Sequence, residues 1–116
     1  MKLLHVTIQT SKFDETIEFY EKFAGLSIQR DLRPMGKPIV FLANGDNETC
    51  IEIIDNPEAN DTGNKYLSIG FKTEDVDAKY DEFVKLGYEP TPMQSPMPQV
   101  KFFFVKDPAG VNVQFM

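Results

Sequence analysis

The chain has 116 residues, with 12 Lys plus Arg against 18 Asp plus Glu and a formal net charge of −6. Its 41% apolar and 26% charged residues exclude a disordered chain, and an acidic balance without a Lys/Arg cluster excludes a nucleic-acid backbone as partner. No apolar run reaches membrane-spanning length, the opening is too short for a signal peptide, and Cys50 has no second cysteine to pair with, so a cytoplasmic protein is expected.

The first predicted element is a strand over 3–9. Leu4, Val6 and Ile8 alternate with His5, Thr7 and Gln9, the period of two shown by a strand with one buried face. The one histidine of the chain therefore sits on the less apolar face. Ser11-Lys12-Phe13-Asp14 has the Ser-x-x-acid spacing of a helix start. Phe13, Ile17, Tyr20 and Phe23 follow at helical spacing, and Gly25 stands where a left-handed cap would end the helix. Strands are expected over 27–32, 39–43 and 49–54. Pro34, Gly36 and Pro38 break the first two apart, and Asn44-Gly45 makes a hairpin turn before the third. On the third, Cys50, Glu52 and Ile54 share one face while Ile51 and Ile53 share the other.

A polar, aperiodic stretch over 56–65 reads as a linker, and the pattern then repeats. A strand over 66–72 precedes a helix near Asp75, with Val76, Tyr80, Phe83 and Leu86 turned inward and Gly87 ending it. A short strand is expected over 88–91. Residues 90–98 carry four prolines and read as an extended loop exposing Met93 and Met97. Strands over 100–105 and 111–116 flank a turn at Asp107-Pro108-Ala109-Gly110.

Leu4-His5-Val6-Thr7-Ile8 returns sixty-three positions later as Leu67-Ser68-Ile69-Gly70-Phe71. The offset becomes sixty-two at Gly25 and Gly87 and stays there to the last strands, where Glu52 matches Gln114. The prediction is an α+β fold in one domain over 1–116: two βαβββ modules, about 1–55 and about 66–116. One helix per module covers one sheet face. The other faces either meet solvent, as in many antiparallel sheets, or curve around a shared cleft. In the second case His5, Glu52, Ser68 and Gln114 converge.

The chain resembles the vicinal oxygen chelate superfamily, which includes glyoxalase I, extradiol dioxygenases, fosfomycin-resistance enzymes and bleomycin-resistance proteins. The resemblance spans essentially the whole chain. It is carried by the opening Leu4-His5-Val6-Thr7-Ile8, Ile17-Glu18-Phe19-Tyr20 running to Gly25-Leu26, Ile51-Glu52-Ile53, and Asp107-Pro108-Ala109-Gly110 before the last strand. It implies a curved mixed sheet with a concave cleft, often holding one divalent metal (Zn, Ni or Mn), commonly in a homodimer. The family's metal positions fall on His5, Glu52, Ser68 and Gln114, where metal-dependent members usually have histidine in place of Ser68 and glutamate in place of Gln114. A serine hydroxyl is a poor ligand at neutral pH, and an amide takes up no proton.

The expectation is a homodimeric protein of the glyoxalase and bleomycin-resistance kind, binding a small molecule beside a degenerate metal site of His5, Glu52 and Gln114. No metal or a weakly bound one is expected there, with Ser68, Cys50, Met93 and Met97 toward the ligand. The alternative is a metal-dependent lyase or isomerase of the glyoxalase I type, with Glu52 as the catalytic group. A structural or regulatory dimer with an empty cleft is the third reading. Arg30, Arg33 and Lys37 either meet an anionic ligand or are solvated loop charges. The segment from Pro90 to Pro98 either caps the cleft or covers a sheet edge.

Overall fold

A computed structural model describes residues 1–62 and 66–116; the end of the expected linker, 63–65, lies outside them. The first half contains β1 (His5–Thr10), α1 (Phe13–Phe23), β2 (Ser27–Asp31), a 3-10 turn (Arg33–Met35), β3 (Ile39–Ala43) and β4 (Cys50–Asp55). The second contains β5 (Ser68–Phe71), α2 (Val76–Lys85), β6 (Gln94–Met97), β7 (Val100–Lys106) and β8 (Asn112–Phe115). The fold is α+β, and each half is one βαβββ unit.

The two halves share a topology. The first sheet runs β1-β4-β3-β2 and the second β5-β8-β7-β6. β1 lies parallel to β4 and β5 to β8, whereas the remaining neighbours are antiparallel. The parallel pairs require a crossover, and each is closed over one face of its sheet by the helix of that unit.

Both helices form for local reasons, with one change at the first. Ser11 does not cap α1: its hydroxyl donates to Asp61, and the Lys12 N–H is taken by the Thr10 hydroxyl instead. In α2 the Asp75 carboxylate caps as such a residue should, accepting from the Ala78 N–H at 3.0 Å. Phe13, Ile17, Tyr20 and Phe23 are buried as their spacing predicts. Phe19 is buried as well, because α1 packs on two sides. One side lies on the first sheet; Phe19 and Phe23 also meet Phe83 of α2 and Tyr88, with 4.3 Å between the Phe23 and Phe83 ring centroids. Phe83 in turn contacts Phe103 and Phe115 of the second sheet. The halves thus share an aromatic core, and such ring pairs add about 0.5–1.5 kcal/mol each beyond their buried area.

Several expectations change in three dimensions. Leu86 is exposed rather than inward, leaving Phe83 as the fully buried residue of α2. Residues 88–91 form no strand. β6 is instead drawn from the proline-rich segment read as a loop, pairing Gln94 with Phe102 and Met97 with Val100. Pro96 is tolerated because β6 is an edge strand, where a missing N–H breaks no second ladder.

The halves are also locked by hydrogen bonds. The Tyr20 hydroxyl donates to Asp107 Oδ2 at 2.5 Å, inside the core. Asp61 accepts from the Thr10 and Ser11 hydroxyls, and its carbonyl oxygen sits where a side chain on Gly110 would begin, 1.7 Å from an ideal Cβ. Gly110 has φ +80 and accommodates both the turn and the close approach.

Candidate functional site

In the first sheet the strand alternation sorts residues as the sequence predicts, except that Leu4, expected on the buried face, precedes β1 and is exposed. Val6, Ile8, Val40, Leu42, Ile51 and Ile53 turn toward α1 and are mostly buried. His5, Thr7, Cys50, Glu52, Ile39 and Phe41 occupy the opposite face, which no helix covers. Register fixes their neighbours: Thr7 pairs with Glu52, Glu52 with Phe41, and His5 with Cys50.

Glu52 is the centre of this face. Its Oε1 accepts the Thr7 hydroxyl at 2.6 Å and lies 3.5 Å from His5 Nε2. Its side chain is only 14% exposed, against 35% for His5. The imidazole also stands edge-on to Phe41, with ring centroids 5.7 Å apart. A half-buried carboxylate needs a donor, and Thr7 supplies it. This threonine was visible in the sequence as a neighbour of His5 on the polar face. Its contact with Glu52 was not, because it depends on how β1 pairs with a strand forty-five residues away.

The other expected site residues lie elsewhere. Gln114 and Ser68 belong to the second sheet, Gln114 paired with Gly70 and Phe104, Ser68 with Asn112. The Gln114 amide oxygen fills the space above Gly70, 3.4 Å from an ideal Cβ there. A cavity of about 420 Å³ opens beside this sheet between Tyr88, Thr91, Phe104, Lys106 and Asn112. Cys50 is half-buried and borders a separate apolar pocket of about 220 Å³ with Leu3, Val6, Leu26, Ile69 and Phe71. Met93 packs against the core, contrary to the expected exposure, and Met97 is exposed on β6. Arg33 is engaged by Asp31 in a two-pronged pair at 2.7 and 2.9 Å, which holds Asp31 below its usual range through hydrogen bonds from the side chain and backbone of Arg33.

A divalent metal of this kind needs three or four donors within reach of one point. His5 and Glu52 are the neighbouring pair, and one carboxylate oxygen of Glu52 is already committed to Thr7. Gln114 and Ser68 stand on a sheet that shares no strand pairing with the first. Among the described residues no three His, Cys, Asp or Glu side chains gather as a metal would require. Two adjacent donors do not make a centre that wants three or four, so the donors gathered within one chain do not fit a metal.

The whole chain matches known proteins. Residues 2–115 match the family described as the Glyoxalase/Bleomycin resistance protein/Dioxygenase superfamily. The chain is 26% identical over 124 residues to a lactoylglutathione lyase of Neisseria meningitidis, covering 100% of this chain and 90% of that protein. In structure it is similar to the trypanothione-dependent glyoxalase I of Leishmania major, with a TM-score of 0.76 at 24% identity over 100% of this chain and 86% of the other. It is also similar to TnmS3, an antibiotic binding protein from Streptomyces sp. CB03234, with a TM-score of 0.73 at 17% identity over 99% and 93% of the two chains. At these identities the two structures speak for the fold alone. By the match along its length, the chain belongs to the glyoxalase/bleomycin resistance protein/dioxygenase superfamily.

Proposed function

We propose that this protein binds a small molecule against the helix-free face of its first sheet, beside a degenerate metal site, and works as a cytoplasmic homodimer. The observation that carries this reading is the composition of that face. Half-buried Phe41, Ile39 and Ile54 surround the polar cluster of His5, Thr7 and Glu52. Apolar area around a few oriented polar groups is how small-molecule sites are built. The dimer is supported by the unpaired edges of β1 and β5, flanked by exposed Leu3, Leu4 and Leu67. Gln114 and Ser68 on the second sheet are proposed to face the same ligand.

A second reading, a lyase or isomerase of the glyoxalase I type, is favoured by the likeness to the Neisseria meningitidis protein. In it Glu52, the carboxylate beside His5, serves as the base. The two readings separate by experiment. Protein purified without chelator is analysed for bound metal and titrated with Ni²⁺ and Zn²⁺, and its melting temperature is followed across a panel of small molecules. Binding without catalysis predicts sub-stoichiometric metal and a raised melting temperature with at least one compound, because a ligand of the folded state stabilises it. Stoichiometric metal lost in His5→Ala, with turnover of a hemithioacetal, supports the lyase and overturns the binder. If no metal and no compound shifts the melting, both readings fail.

A further inference from the structure

Arg30 reaches the helix-free face only because β2 contains an irregularity. Ile28 pairs with Leu42 and packs toward the core, so strict alternation would send Arg30 the same way. The register shifts by one residue between Ile28 and Arg30, so that Arg30, not Gln29, stands opposite Phe41. The inserted Gln29 folds back onto Ser27, with its amide nitrogen 2.9 Å from the Ser27 hydroxyl oxygen. Such bulges re-aim side chains beside functional sites.

The consequence is one continuous row across four strands: Thr7, Glu52, Phe41, Arg30. Two strand spacings separate the backbones of Glu52 and Arg30, about 10 Å, with the Phe41 ring between them. Arg30 and Arg33, the two arginines near this loop, now differ. Arg33 is held by Asp31 through two side-chain hydrogen bonds. The Arg30 side chain is exposed, and its guanidinium has no ion pair or hydrogen bond among the described residues. An acidic chain thus presents a guanidinium on its candidate ligand face with no carboxylate closing on it.

We infer that the ligand of this face carries a carboxylate or a phosphate-like group, held by Arg30, with an apolar body across Phe41 and a polar end toward His5 and Glu52. Guanidinium suits this role because its planar fork offers two parallel N–H donors to an oxyanion. The inference rests on the proposed binding function and narrows its ligand class.

The test uses the full-length protein in its native oligomeric state at pH 7. Calorimetric titrations compare 3-phenylpropanoate, 2-phenylethylphosphonate and the uncharged 3-phenylpropanamide. The acids are expected to bind at least about tenfold more tightly than the amide, through charge-assisted hydrogen bonds. Their affinity should fall with added salt. Arg30→Gln should remove the preference for acid over amide, and Arg30→Lys should restore part of it. The relative affinities of the two acids distinguish a carboxylate site from a phosphate one. Equal binding of acid and amide, unchanged in Arg30→Gln, overturns the anion selection and leaves the binding function standing. Binding of no probe, in a protein that also fails to respond to the compound panel, overturns both.

Discussion

The Tyr20 hydroxyl donates to Asp107 Oδ2 at 2.5 Å, tying α1 to the turn before β8 across 87 residues of chain. Both partners are buried, and burial pushes both acidities weaker: Tyr20 by desolvation and then by the neighbouring Asp107 charge, Asp107 by desolvation against the hydrogen bonds it accepts. The Val111 N–H also donates to Asp107, at 2.9 Å, so one carboxylate organises the turn and anchors the helix. Tyr20→Phe keeps the ring packing and removes the donor. It should cost about 1.5–3 kcal/mol, the range for hydrogen bonds to charged groups, read as a lowered midpoint in urea.

The same carboxylate predicts a pH dependence of stability. With its folded pKa above the unfolded one, the folded state holds the Asp107 proton more tightly. The stabilisation that protonation brings is complete below the unfolded value, about 3.9, and is lost as pH rises through the folded value. Asp107→Asn removes this titration. Measured from about pH 3 to pH 7, wild-type stability relative to Asp107→Asn should therefore fall with rising pH. A flat or rising difference would contradict the buried, proton-retaining carboxylate.

Gly110 combines a left-handed backbone with the Asp61 carbonyl against its open side. Gly110→Ala meets both the strain and the contact, and should destabilise by at least about 2 kcal/mol. Gly87, also at positive φ but with nothing within 4 Å of an added Cβ, isolates the backbone component. Gly87→Ala should cost less, and thermal melts of the two variants make the comparison.

Phe83 is fully buried between α1 and the second sheet, touching Phe19, Phe23, Phe103 and Phe115. Phe83→Ala should cost about 3–5 kcal/mol, as large-to-small changes in packed cores do. Because the cluster joins the halves, unfolding followed by near-ultraviolet circular dichroism and by far-ultraviolet signal should separate in this variant if one half melts first.

Glu52→Gln retains an acceptor for the Thr7 hydroxyl and the packing beside Phe41. Folding stability should change by less than about 1 kcal/mol, while ligand-induced stabilisation drops sharply. An unchanged ligand response would remove Glu52 from the proposed site.

Much of this was legible in the residues. The alternation in Leu4 to Ile8 and that of Cys50 to Ile54 placed His5 and Glu52 on the same helix-free face, since successive strand side chains must leave opposite sides. The proline-rich segment reads as a loop, whereas Gln94–Met97 form an edge strand, which accepts proline, and Met93 just before it packs on the core. The Ser11 cap does not form because its hydroxyl has a longer-range partner in Asp61.

The sequence by itself determined the duplicated order of the two halves and the polarity of β1 and β4, because both follow from local periodicity. Only the tertiary structure decided what lies beside what: Thr7 on Glu52, Phe19 on Phe83, Asp61 on Gly110, and Arg30 turned outward at the shift after Ile28. The reason is physical. A single-residue change of register reverses a side chain's face, and contacts between segments far apart in the chain depend on that register and leave no periodic trace in either segment alone.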